Sequence, residues 1–436
     1  MKRLPPVVII ILSFIVTILI GSILLFLPIS LNKGSSITYM DSFFVSTSAL
    51  CVTGLTPVNV AETFNIFGKI IIAILIQIGG LGCITVSSFL FLMLGAKFGI
   101  GDRYLLKEAL SQDSASHVIR LLKNIIKLTL LVELFGAIVC TLSFLRYYDF
   151  FTALGIGVFH SISSFNNAGF DIIGANSIIG FSGDVLVNIV TMILIVIGGL
   201  GFIVILDLFK NKFNIKKCSL HSKIVLMMTT SLIVVGTVFI KLSMGDNISF
   251  LEAIFTSVSA RTAGFSTFNF ATLNGSAIII ISLLMLIGAS PASTGGGIKT
   301  TTVYTMIKSM ISFARGKPTI TNHKKIAEES KMRAFTLFFV SISVIFTSIM
   351  LILLFEENND YVNLNNVLFE VFSAFGTVGL SMNLTPYLGV LSKILLCILM
   401  FFGRIGLITI MGMWNASWNK PNVSNMDYLE EKIIIG

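Results

Sequence analysis

Charge is scarce in this chain. Only 12% of its 436 residues are Asp, Glu, Lys or Arg, while 55% are hydrophobic and the mean hydropathy is +0.95. A soluble fold cannot hide that much apolar surface, so a water-soluble globular protein is excluded and a polytopic membrane protein is expected. Cysteine is sparse too. Cys51, Cys83, Cys140, Cys218 and Cys397 follow neither a metal-ligand nor a disulfide spacing, which leaves packing as their role. HExxH, GxSxG and paired catalytic aspartates are missing, so the chain is not read as an enzyme. There is no nucleotide fold and no nucleic-acid motif. No stretch between the apolar runs is long enough for a soluble domain, so any nucleotide must be bound by another chain, and this one holds no cofactor.

What is present is repetition. Four glycine-centred loops recur: CVTGLTP around Gly54, NNAGFDI around Gly169, RTAGFST around Gly264 and GTVGLSM around Gly379. Each precedes a small-residue cluster starting at Gly79, Gly198, Gly288 or Gly403. Each unit opens with an apolar run at roughly 7–29, 124–146, 222–242 or 333–355. Each closes with another at 66–95, 184–208, 276–312 or 388–413. About 20 residues at about 1.5 Å rise cross a bilayer core, which gives eight spanning helices. The first run lacks a small-x-small cleavage site at its end and is read as a retained span.

Inside each pair lies a shorter segment, at about 40–51, 150–165, 250–261 and 365–376, too short to cross. Each has an acid near its start (Asp41, Asp149, Glu252, Glu370), as a helix N-terminus favours, and a small residue five before the glycine (Ala49, Ser164, Ser259, Ala374). The expected fold is all-α: four helix, pore-helix, helix repeats with pseudo-fourfold symmetry about a central pore, bounded as 1–96, 97–211, 212–315 and 316–436. The third repeat has a broken second helix, and the last includes a cytoplasmic tail.

Basic residues set the orientation. Lys2 and Arg3 lie at the N-terminus. The linkers carry Lys97, Arg103, Lys107, Arg120 and Lys123, then Lys210, Lys212, Lys216, Lys217 and Lys223, then Arg315, Lys317, Lys324, Lys325, Lys331 and Arg333. The opposite loops are poor in Lys and Arg and include Glu356, Glu357 and Asp360. Both termini and all linkers are expected in the cytoplasm, with the glycine loops facing out. The net charge of +9 suits anionic headgroups or an acidic partner rather than nucleic acid.

Extended backbone converging on an axis presents carbonyls that can replace a cation's water. Glycine enters the left-handed region such a path requires, and irregular backbone is tolerated at membrane depth where it lines water or ion. The candidate filter is Val52-Thr53-Gly54, Asn167-Ala168-Gly169, Thr262-Ala263-Gly264 and Thr377-Val378-Gly379. A secondary transporter for an organic solute is the competing reading; two inverted repeats would favour it, and four parallel repeats favour an ion path.

The third closing run is interrupted by LIGASPASTGGGIKT, where proline and three glycines break a helix. An unwound loop containing Ser290, Pro291, Ser293, Thr294, Gly295, Gly296 and Gly297 is expected there, and the other closing runs carry no such stretch. Arg404 in MFFGRIG and Glu133 in LLVELFG are mid-span charges, costly in a bilayer unless partnered. Glu133 is read as making a buried interhelical hydrogen bond. Lys299 could lie at the loop's cytoplasmic end and ranks below Arg404, and His160 is read as packing.

With TSALCVTGLTP, HSISSFNNAGFD, SVSARTAGFST and SAFGTVGLS, nearly the whole chain resembles the pore-forming subunits of the Trk/Ktr/HKT superfamily of potassium transporters. The Trk branch usually has two further N-terminal spans, so the Ktr branch is the nearer likeness. The resemblance implies potassium uptake across a bacterial plasma membrane, with a single filter glycine per repeat. Glycine rather than serine at the first filter goes with potassium preference. It further implies that the broken-helix loop is an intramembrane gate contacted by a pore-facing Arg404. It implies a homodimer carrying a cytosolic ring of KtrA-type subunits that bind ATP, ADP or NAD. Sodium coupling belongs to some members, but no residue here marks a sodium site.

Overall fold

The four opening runs are mostly apolar and form single long helices: Pro6–Phe26, Val118–Phe144, Leu220–Met244 and Glu328–Phe355. The chain is described here as a computed structural model covering residues 6–93, 118–174, 177–322 and 324–407. Lys2, Arg3, Lys97, Arg103, Lys107 and the C-terminal tail lie outside the described residues. Apolar side chains such as Leu134, Phe135, Phe239 and Phe346 are exposed on the outer surface, as a lipid-facing belt requires.

The short segments are helices as expected: Tyr39–Leu50, Phe150–Phe165, Phe250–Ser259 and Leu364–Gly376. Polar N-caps start them. Thr38 accepts from the Asp41 N–H, Asp149 from Thr152, and Asn363 from Asn366, while Ser249 and Glu252 form a reciprocal capping box. Glu370 departs from the expectation. Its helix begins at Leu364, so Glu370 lies well inside it and is fully buried. It accepts from Ser381 Oγ at 2.7 Å and from Thr385 Oγ1, and so braces the chain beyond the fourth glycine loop.

Three of the pore helices seat against glycines of their own opening helices. A Cβ on Gly21, Gly136 or Gly236 would strike Ser46, Ser161 or Ser257. Those hydroxyls donate to the carbonyls of Ile18, Glu133 and Ile233 at 2.8, 2.7 and 2.9 Å. Small residues let two backbones close on each other where lipid supplies no hydrophobic drive between helices.

The closing runs differ most from the sequence reading. Only the third was expected to break, yet the first and second divide as well. Ile66–Leu81 is followed by Cys83–Met93, Val185–Leu200 by Phe202–Lys210, and Gly275–Leu286 by a loop and then Thr300–Ala314. Val390–Ile405 stops at Gly406. Gly82, Gly201 and Gly406 have φ of +87°, +89° and +89°, a left-handed geometry that ends the i to i−4 ladder. At Gly201 the bend is 95°. The last glycine of GGLG and GRIG therefore ends the helix in three repeats, and a long loop takes its place in the third.

The ring closes between the last repeat and the first. Lys393 Nζ lies 2.8 Å from Asp41 Oδ1, both side chains mostly buried, and Phe14 meets Phe401 edge to face at 6.4 Å. Nearby, Glu356 ties the end of Glu328–Phe355 to the start of Val390–Ile405. It accepts from Gly389 N–H, Ser392 Oγ and Asn359 Nδ2 at 2.7, 2.6 and 2.9 Å.

Burial alone would push the Glu356 carboxyl up. The three hydrogen bonds and the Lys393 charge outweigh that and hold it below the ordinary glutamate value. A depressed carboxylate stabilises the fold above its unfolded pKa of about 4.3, and that contribution is lost as pH falls through the folded value. The melting temperature of purified protein should therefore drop on acidification below about pH 4. Glu356→Gln should melt lower at neutral pH and fall less steeply on acidification. Identical pH profiles for the two proteins would remove Glu356 from this role.

Candidate functional site

The four glycine loops meet in a closed ring. A Cβ on Gly54 would lie 2.5 Å from the Ala168 carbonyl oxygen, and one on Gly169 would lie 2.7 Å from that of Ala263. One on Gly264 would strike the Val378 carbonyl, and one on Gly379 would strike the Thr53 carbonyl. Each glycine thus faces the carbonyl preceding the next glycine, round all four repeats and back to the first. Any side chain would collide with the backbone of the adjacent loop.

The backbone of these loops is constrained. The glycines have φ of +98°, +69°, +80° and +93°, and the residues two before them, Val52, Asn167, Thr262 and Thr377, have +57°, +59°, +74° and +49°. Positive φ at β-branched Val and Thr is costly and persists only where the surroundings impose it. Serines of the pore helices do so. Gly54 N–H donates to Ser48 Oγ and Gly379 N–H to Ser373 Oγ, both at 3.0 Å. Ser163 Oγ donates to the Phe170 carbonyl at 2.6 Å, and Ser259 Oγ to that of Phe265 at 2.5 Å. Of these serines only Ser259 was marked in the sequence, as a small residue. The recurrence of Ser at Ser48, Ser163 and Ser373 was the available signal.

The downstream glycines allow the closing helices to reach the pore-helix ends. A Cβ on Gly79, Gly198 or Gly403 would strike the carbonyl of Leu50, Phe165 or Phe375.

The loop between Leu286 and Thr300 crosses on the side of the ring marked by Thr262 and Thr377. Ser290 N–H and Oγ both donate to the Gly199 carbonyl, at 3.1 and 2.6 Å. Ser293 Oγ closes onto Ser290 O at 2.6 Å. Thr294 donates through N–H to Gly198 O and through Oγ1 to Phe165 O, at 3.3 and 3.2 Å. Gly295 packs on the Thr262 side chain. Gly296 N–H donates to Thr377 Oγ1 at 3.0 Å, and Gly297 N–H to Gly403 O at 3.2 Å. The Pro291 carbonyl faces Gly201.

Two cations hold this loop. Arg404 Nη1 donates to the Thr294 carbonyl, and Nη2 donates to Gly79 O and, at 3.0 Å, to Gly80 O. Arg404 therefore joins the loop to the first and fourth repeats. Lys299 turns back, its Nζ donating to Gly295 O at 2.6 Å and Gly296 O at 3.2 Å. Lys299 was ranked low from sequence because its backward reach depends on the loop's fold.

Glu133 makes the interhelical bond expected of it, accepting from Asn166 Nδ2 at 2.8 Å. His160 bonds Thr191 Oγ1 at 2.8 Å and packs against Phe144 and Phe265. All five cysteines are free and buried.

Four pore-helix repeats around one axis, with their loops joined in a closed ring, define a multi-pass, all-α membrane protein. The chain belongs to the TrkH family of cation transport proteins, whose family model matches residues 5–243 and 220–416. It is 36% identical to the potassium/sodium uptake protein NtpJ of Enterococcus hirae over all of this chain and 98% of that protein. It is likewise 36% identical to the Ktr system potassium uptake protein B of Bacillus subtilis, over all of this chain and 97% of that one. In fold it is similar to the potassium transporter TrkH of Vibrio parahaemolyticus, with a TM-score of 0.74 at 17% identity over 96% of this chain and 87% of that one. The family is one of transporters, not enzymes.

Ser48→Ala and Ser373→Ala each remove the acceptor of a glycine-loop N–H, that of Gly54 or Gly379. Each should lower stability by about 1 kcal/mol, the net worth of such a bond with its partner left unmet. Thermal melts of the purified variants would test this, and unchanged melting in both would place the constraint elsewhere.

Proposed function

We propose that this protein takes up potassium across the bacterial plasma membrane, through the four glycine loops as selectivity filter and past the Ala289–Gly297 loop as gate. The observation that carries this reading is the closed ring of carbonyls and glycines with a separate loop tied beneath it. Carbonyl dipoles converging on an axis replace the water of a dehydrated cation at low cost. The names of the similar proteins, potassium uptake and potassium/sodium uptake, support potassium as substrate, with sodium as a possible second ion.

In this reading the repeats are bounded near residues 96, 211 and 315. The lysine- and arginine-rich linkers and both termini face the cytoplasm, and the filter mouth faces out. The pore subunit works as a homodimer. Regulation comes from a separate cytosolic nucleotide-binding ring of KtrA type, since a Ktr system protein B is among the relatives. The positive charges of Arg404 and Lys299, held on the carbonyls of the gate loop, both close the path and repel a cation there. Potassium-dependent growth of a strain lacking potassium uptake, restored by this protein with its regulatory subunit, tests the activity as a whole.

Gly54→Ser places a Cβ 2.5 Å from the Ala168 carbonyl, at a φ of +98°. It should lower the rubidium to sodium flux ratio in proteoliposomes. An unchanged ratio in folded protein would sink the filter assignment.

Deleting 289–297 should raise basal flux, because the barrier goes and the filter stays; abolished flux in a folded dimer would make the stretch structural. Arg404→Ala should raise flux as well. Arg404 uses both terminal nitrogens on two separate elements, a fork that lysine cannot reproduce. Arg404→Lys should therefore resemble the alanine variant. Wild-type flux in the lysine variant would show that charge alone forms the barrier.

A further inference from the structure

On the face of the ring away from the gate loop lies a chamber of about 300 Å³, room for about ten waters at about 30 Å³ each. Its floor includes three of the ring glycines, Gly54, Gly169 and Gly379, and its walls are the chain that leaves each loop. Asn59, Ser381, Asn383 and Thr385 line it, and Asp171 is the one charged side chain among its lining residues.

The residues two beyond the ring glycines are Thr56, Asp171, Ser266 and Ser381. Three carry a hydroxyl and one a carboxylate, so the fourfold pattern is broken by a single negative charge. Asp171 is half-buried. Its Oδ1 accepts weakly from the N–H groups of Ile173 and Gly174, at 3.2 and 3.4 Å, and Ser177 reaches its carboxyl as well. Ser177 Oγ in turn accepts from the Ser266 N–H at 3.2 Å. The carboxylate is thus fixed between the second and third repeats, and no cation pairs with it among the described residues. A fixed charge in a walled cleft concentrates counter-ions there.

We propose that this chamber is a binding site for one monovalent cation still carrying part of its water, held by Asp171 and by the hydroxyls and amides around it before it sheds that water into the ring. The inference rests on the ring being the ion path. The site raises the local cation concentration without being part of the filter, so it governs apparent affinity and leaves maximal flux alone.

Asp171→Asn tests it, because asparagine can still accept from the Ile173 and Gly174 N–H groups while the charge is lost. In proteoliposomes the apparent KM for rubidium should rise about fivefold, the factor given by about 1 kcal/mol of attraction between unit charges near 4 Å at water-like screening. Maximal flux should stay within about twofold, and the KM difference should shrink as an impermeant salt is added outside. Asp171→Glu should restore most of the affinity. In wild-type crystals soaked in thallium, anomalous density should appear beside Asp171 as well as in the ring, and the asparagine variant should lose only the former. An unchanged KM with reduced flux or a lowered melting temperature would make Asp171 a turn anchor and overturn the proposal. Unaltered selectivity in Gly54→Ser would instead remove the path itself, so the two failures are separable.

Discussion

The structure depends on how closely four backbones can approach one axis. A carbonyl oxygen left free at such an axis cannot be spent in a helix or covered by a side chain. In a bilayer such a group is costly unless ion or water meets it. The ring resolves this with a glycine opposite each carbonyl and a buried serine behind each loop. The pore helices, their caps and the glycines at Gly79, Gly198 and Gly403 then serve to hold four strained loops at contact distance.

Symmetry stops below and above that ring. Only the third repeat supplies a long loop beneath it, and that loop bonds to the second and fourth repeats directly and to the first through Arg404. Among the residues lining the chamber above it, Asp171 of the second repeat is the one carboxylate. A fourfold scaffold suits an ion with no preferred orientation. A fused chain can place a distinct element in one repeat without repeating it in the others.

Much of this was legible in the sequence. The repeat of a glycine loop after a short segment with an acid near its start (Asp41, Asp149, Glu252, Glu370) marked all four pore helices, and the polar caps Thr38, Asp149, Ser249 and Asn363 start them in the fold. Pro291 and the glycines after it marked the unwound loop. The breaks at Gly82, Gly201 and Gly406 were not legible, since a glycine inside an apolar run reads equally as a packing site or a hinge. Its left-handed φ is a property of the folded chain. Glu370 was misplaced for a related reason: the acid was taken for a helix start that Asn363 in fact supplies. The bonds of Lys299 and Arg404 join residues that only the finished fold brings together.

The ion pair between Lys393 and Asp41 marks the one seam that the chain does not join covalently. The first three contacts of the ring lie between consecutive repeats and can form as synthesis proceeds. The fourth, together with the Phe14–Phe401 edge contact and the Arg404 bonds to Gly79 and Gly80, needs the end of the last repeat to return to the beginning of the first. A nascent chain with three repeats in the membrane is an open arc with no enclosed passage. The enclosed passage therefore forms only when the fourth repeat meets the first, after the loop of the third repeat is already in the chain.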